Sequence, residues 1–236
     1  MMNSKNIEEK QKQIDEQITS THENCTFDGI VNVEEYLKSP IKILWILKEV
    51  NDEDGYNQRD AFNELVQTVS DTKSLSNTNR KAWWPTLDPI IYVSFQILNN
   101  FTTWQKVNYI QDEPLMVSVL RKIAYINLKK EPGGAVSEDY RISEGYEKAK
   151  EILKTQIDLI KPDVIIGGNT IKYLKDDYNL TSFKKVEGYN LEYTSTKDCL
   201  FIDSYHPQYL SRQNEDFKGD YINEIVTIVK NWKDSK

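Results

Sequence analysis

His206 is one of only two histidines in the chain, and it stands in Ser204-Tyr205-His206-Pro207-Gln208-Tyr209-Leu210-Ser211-Arg212, directly after the apolar run Leu200-Phe201-Ile202. A proline fixes its own φ and biases the residue before it toward extended backbone, so His-Pro at a strand end holds an imidazole still. An imidazole donates, accepts or changes charge near neutral pH. Glu49 and Asn51 in Lys48-Glu49-Val50-Asn51 supply a carboxylate and an amide after a second apolar run, and Asn127 supplies another amide after a third. The chemistry open to this set is hydrogen bonding to a polar ring and stabilisation of charge on a breaking bond. His206 has a bland alternative, a histidine that merely caps a strand end.

The runs that would position these groups are Ile41–Leu47, Ile123–Ile126, Val164–Ile166 and Leu200–Ile202. Short apolar runs without polar alternation suit strands covered on both faces, as in a parallel sheet between helices. Ligands of open α/β sheets bind outside the carboxyl ends of the strands. Glu49, Asn51, Asn127, Gly167, Asn169 and His206 are therefore expected along one sheet edge. Gly167-Gly168-Asn169 before a helix would let backbone N–H groups approach a phosphate, although Gly-Gly at such a turn is more often close packing.

In motif order the chain resembles the uracil-DNA glycosylase superfamily, in particular its bacterial and archaeal branch whose members often carry an iron–sulfur cluster. Leu153–Gly168 looks like that branch's helix and third strand, His206-Pro207-Gln208-Tyr209-Leu210-Ser211-Arg212 looks like its histidine motif, and Tyr125–Lys130 with Pro132 is similar to the strand whose asparagine reads the base. The similarity covers residues 41–232 apart from an unmatched insertion at about 65–118. It implies a three-layer α/β/α fold with a central four-stranded parallel sheet, and removal of uracil or another altered base from DNA without a cofactor. It further implies Glu49, Asn51 and His206 as the catalytic group, with Tyr56, Asn127, Gly167, Gly168, Asn169, Tyr209 and Arg212 at the substrate. Tyr56 or Phe62 would supply the ring against which a flipped base stacks. Asn127 offers a donor and an acceptor for the edge of uracil, and His206 a donor for charge developing on the base.

The chain departs from the family's first motif, because Lys48-Glu49-Val50-Asn51 lacks the usual glycine and proline. That departure supports a second class of function, a protein of the same fold that binds a nucleotide, a base or a partner without excising anything. With Cys25 and Cys199 as its only cysteines, the chain lacks the four thiolates an iron–sulfur cluster needs, and no cluster is expected. No metal is expected either: Asp52 and Asp54 near Glu49 lack the glycine and distal glutamate of a calcium loop.

With 37 acidic against 30 basic side chains the net charge is −7, and residues 49–64 alone contribute −5 through six acids against Arg59. DNA affinity rests on cations that neutralise phosphates. Either the acidic loop faces away from the nucleic acid or the substrate is not ordinary duplex. A chain of 236 residues with 39% hydrophobic content suffices for one α/β domain. The lack of a long apolar stretch or a basic–apolar leader, together with two cysteines, leads to the expectation of a cytoplasmic protein off the membrane.

Residues 1–24 read as a loosely attached polar helical appendage with Ile7, Ile14 and Ile18 as a sparse stripe, and His22 is expected in solvent. Residues 25–236 then form the domain, with helices at 31–38, 57–70, 143–160 and 221–233, a polar loop at 71–80 and a buried helix within the aromatic-rich insertion.

Overall fold

A computed structural model describes residues 3–134 and 137–236. The elements in chain order are α1 (Ser4–Thr21), β1 (Gly29–Ile30), α2 (Val33–Lys38), β2 (Ile43–Leu47), α3 (Gln58–Thr72) and α4 (Arg80–Leu98). Two 3-10 turns, Trp104–Lys106 and Pro114–Lys122, precede β3 (Ala124–Asn127), α5 (Asp139–Ile160), β4 (Val164–Gly168) and α6 (Ile171–Leu174). The chain continues through β5 (Lys184–Lys185), β6 (Glu192–Ser195), β7 (Leu200–Ser204), α7 (Pro207–Leu210) and α8 (Glu215–Asp234).

The fold is α/β. The four apolar runs pair in parallel, β3 with β2, β2 with β4, and β4 with β7. The sheet does not stop at four strands, however: its order is β1-β3-β2-β4-β7-β6-β5, and β1, β6 and β5 add antiparallel pairings. The expected four-stranded parallel sheet is thus corrected to a seven-stranded mixed one. The extra strands are two to four residues long and polar or glycine-bearing, so no apolar run announces them. Alternation across the parallel strands explains why they are apolar throughout. Ile43, Trp45 and Leu47 enter one core with α3, α4 and α8, while Leu44 and Ile46 enter the other with α1, α2, α5 and α6.

Helix α1 lies outside the sheet but is not loose. Ile7, Ile14 and Ile18 are buried against the α5 layer, Gln11 Oε1 accepts from the Ile30 backbone N–H at 2.8 Å, and Asp15 pairs with Arg59 at 2.5 Å. His22 is likewise buried rather than solvated, its Nδ1 2.7 Å from the Thr21 hydroxyl. Within the insertion, α4 contributes Leu87, Ile90, Ile91, Val93 and Ile97 to the core, and Trp45 Nε1 donates to Ser94 Oγ at 3.0 Å. It forms part of the layer that covers the sheet.

The helix ends follow from local chemistry. Asn57 caps α3 by accepting from the Arg59 N–H at 3.1 Å, and Asn214 caps α8 by accepting from the Phe217 N–H at 2.9 Å. α5 stops at Lys161, which turns left-handed at φ 49° just before Pro162.

Candidate functional site

Beyond the carboxyl ends of β2, β3 and β7 lies a cavity of about 210 Å³, below the ~300–1,000 Å³ of sites for drug-sized ligands. Glu49, Asn51, Tyr56, Gln58, Tyr125 and His206 supply its polar wall, and Leu47, Phe62, Trp83 and Leu87 its apolar wall. The volume suits one small planar group.

His206 is the N-cap of α7, and its Nδ1 accepts the Gln208 N–H at 3.2 Å. Proline at the first helical position sets the entry of that turn. With Nδ1 used as an acceptor, a neutral ring carries its proton on Nε2. Burial lowers the imidazole's pKa to about 4, and the nearby Lys48 ammonium adds to the effect. At neutral pH the ring is therefore a fixed, uncharged Nε2–H donor.

Glu49 leaves β2 with its side chain 5% exposed and its Oε2 2.7 Å from Lys129 Nζ. Lys129 also donates to the Pro132 carbonyl at 2.9 Å, and the Gly133 N–H donates to the Val50 carbonyl at 2.8 Å. These bonds draw residues 132–133 alongside Glu49, so closely that a Cβ at Gly133 would run into the carboxylate. Glu49 Oε1 makes no hydrogen bond among the described residues. Asn51 is exposed at the rim, paired with Gly133.

Tyr56 and Gln58 are held by a short parallel bridge: the Phe27 N–H donates to the Tyr56 carbonyl at 3.0 Å and the Gln58 N–H to the Phe27 carbonyl at 2.9 Å. Burial raises the pKa of both the Tyr56 and Tyr125 hydroxyls, with the Gln58 amide beside them offsetting part of the shift. Both phenols stay protonated at neutral pH. Phe62 meets Tyr125 edge to face, with centroids 5.3 Å apart.

Asn127 does not line the cavity. It is fully buried, and its Nδ2 donates to Gln58 Oε1 at 2.6 Å. Asn127 shares Tyr125's face of β3, and the first turn of α3 roofs it over. Gln58, which sequence reasoning passed over, lines the cavity in front of Asn127. Its only sequence signal is its place at the first position of an Asn-capped helix two residues after Tyr56. Behind Asn127, Asp28 accepts from Lys130 Nζ at 2.7 and 2.9 Å, from the Asn127 N–H at 2.7 Å and from Gln156 Nε2 at 2.8 Å. This buried network fixes the wall that carries Gln58.

The glycine segment makes no phosphate cradle. The Asn169 N–H donates to the Ser204 carbonyl at 2.8 Å, and those of Thr170 and Ile171 donate to Asp203 Oδ1 at 3.0 and 3.2 Å. Asp203 thus occupies the place an anion would take. Gly167 and Gly168 are buried, and a Cβ at Gly168 would meet Leu47 at 2.5 Å and Pro207 at 3.2 Å, so the close approach of β2 and α7 requires glycine. Asn169 is exposed with a positive φ of 61°. Tyr209, 43% exposed, stacks on Tyr205 at 4.3 Å, and Arg212 is exposed; neither lines the cavity, whose wall takes Gln208 from that turn instead.

Among the described residues no group of three or more His, Cys, Asp or Glu is placed to hold a metal ion, and no helix is long and apolar enough to cross a membrane. Burial pushes the Cys199 thiol up to about 12, which keeps it a thiol. The site is thus a small cavity on an α/β sheet edge with one neutral histidine, one lysine-paired carboxylate, two phenols and the amides of Asn51, Gln58 and Gln208. No protein-family model matches the chain, and no curated protein matches it in sequence.

Proposed function

We propose that the cavity takes a single uncharged nucleobase and that the chain is a base-excising hydrolase of the uracil-DNA glycosylase type. The observation that carries this reading is the convergence of Glu49, Tyr56 and a neutral His206 on one concavity that admits little more than one planar ring. Tyr56 and Phe62 offer ring faces and edges, and Gln58 offers an amide to the polar edge of the base. In the reaction the C1′–N1 bond breaks with its electron pair passing to the base, and water adds to C1′. The water's proton leaves, and the base is protonated on departure. His206 Nε2–H donates to the base oxygen as negative charge grows there, where an uncharged donor needs no reorganisation. Glu49 Oε1 faces the sugar side, steadying positive charge or orienting the water, while Lys129 fixes the carboxylate through Oε2.

The lysine partner of Glu49 also favours the second reading, a base- or nucleotide-binding protein that cleaves nothing, because Lys129 Nζ already occupies Oε2 at 2.7 Å and leaves one carboxylate oxygen to meet a water. One experiment separates the two. Purified protein is incubated with uracil-, hypoxanthine- and mismatch-containing oligonucleotides, followed by alkaline strand cleavage. The hydrolase reading expects cleavage of at least one substrate, and a loss on the order of 10²–10³ in rate for His206→Ala. Intact oligonucleotides with a folded wild type that still binds free base by calorimetry would establish the binder.

A further inference from the structure

Within the insertion, residues 72–87 carry a charge opposite in sign to that of the chain. Between Asp71 and Asp88 the sequence contains no acidic residue, yet it holds Lys73, Arg80 and Lys81 together with Trp83 and Trp84. In the fold this segment walls a groove of about 790 Å³, much larger than the base cavity. Leu75, Trp84 and Pro85 form its apolar side, Arg80 and Lys81 its cationic side, and Asn79 adds a polar group; no carboxylate lines it among the described residues. The Arg80 guanidinium lies 3.7 Å over the Trp84 ring, so cation and ring form one flat platform. Pro85 borders both the groove and the base cavity, and Trp83 lines the cavity while Trp84 lines the groove.

From this juxtaposition we propose that the Arg80–Trp84 groove binds the single-stranded nucleic acid that flanks the base held in the cavity. The proposal rests on the base-site reading and adds the form of the substrate. A basic channel with an aromatic ring or guanidinium plane is the means by which proteins hold single strands without reading sequence, since every base has a face to stack and every nucleotide a phosphate. A duplex fits poorly, because its base faces are already stacked and residues of the acidic segment 49–64 line the same cavity. An acidic peptide would satisfy Arg80 and Lys81 but leave the Trp84 platform unused.

The test uses the full chain and fluorescein-labelled oligothymidine without uracil, read by anisotropy across a salt series. Wild type is expected to bind the strand more tightly than a hairpin duplex. Trp84→Ala is expected to weaken binding about 5- to 150-fold, the range for one lost base stack. Trp84→Phe should retain most of the affinity. Arg80→Gln with Lys81→Gln, both near the surface and unneeded for the core, should lower the slope of log affinity on log salt by about 1.4, the value for two phosphate contacts on a single strand. Circular dichroism checks that each variant is folded. The proposal is overturned if wild type does not bind the strand, if folded variants bind as well as wild type, or if poly-glutamate displaces the oligonucleotide as well as unlabelled strand does. Failure of the base-site reading looks different: strand binding sensitive to Trp84 would persist while no base is cleaved or bound.

Discussion

Lys130→Met probes the buried network that holds the cavity wall. Lys130 and Asp28 both have fully buried side chains, at 0% exposure, and the ammonium bonds to both carboxylate oxygens at 2.7 and 2.9 Å. Burial alone pulls the lysine's pKa down, and the Asp28 carboxylate opposes that pull. Methionine fills a similar volume but leaves Asp28 buried with only the Asn127 and Gln156 donors. Breaking one side of such a pair costs about 3–5 kcal/mol. For a chain of this length each kcal/mol moves the thermal midpoint by about 2–4 °C, giving an expected drop of about 6–20 °C. Thermal unfolding followed by circular dichroism at pH 7 measures it. Asp28→Leu combined with Lys130→Met should recover only part of the loss, because the Asn127 N–H then has no acceptor, at about 1–3 kcal/mol. A shift under about 2 °C for Lys130→Met would refute the reasoning.

Three further outcomes follow from the same geometry. His206 titrates at about 4 in the fold against 6.5 for the ordinary group, so the unfolded chain binds the extra proton between those values and stability falls as pH drops through that window; midpoints of wild type and His206→Gln from pH 4 to 7 should show the flatter profile in the variant. Asp88 is fully buried, 3.6 Å from Lys218, and burial raises its pKa to about 7. There the folded chain holds the extra proton, so stability falls as pH rises from about 4 to about 7; the midpoint of Asp88→Asn relative to wild type should climb across that range, and a constant difference would sink the assignment. Gly168→Ala places a Cβ against Leu47 and Pro207 and should cost about 1–3 kcal/mol in urea unfolding, whereas a neutral result would show that β2 and α7 have room to part.

What the sequence disclosed, and what it hid, has a physical pattern. The parallel strands were legible because burial on both faces leaves an uninterrupted apolar run, as in Ile43–Leu47. His206 was legible because His-Pro follows such a run and the proline opens α7. β5 is Lys184–Lys185, two exposed residues whose strand identity comes from pairing with β6 rather than from their own side chains. Asn127 was correctly expected at a strand end, but nothing in the sequence shows that α3 would lay Gln58 over it. The tight docking of α1 rests on three isoleucines, Gln11 and Asp15, a sparse signal in a polar segment. The lysine on Glu49 depends on the chain after β3 running on beside the chain after β2, where the Lys129 N–H donates to the Lys48 carbonyl at 2.9 Å and sets the ammonium beside the carboxylate.

The central claim is that His206 presents a neutral Nε2–H to whatever occupies the cavity. Because the chain has only two histidines, ¹⁵N-detected correlation spectra of the imidazole rings, with His22→Gln to assign them, read this directly. The expected result is a His206 ring protonated at Nε2 alone from pH 6 to 8, with no titration until about 4, and an Nε2–H signal that shifts when a uracil-containing single strand is added. A His206 ring that titrates near 6.5, carries its proton on Nδ1, or ignores the added strand would contradict it.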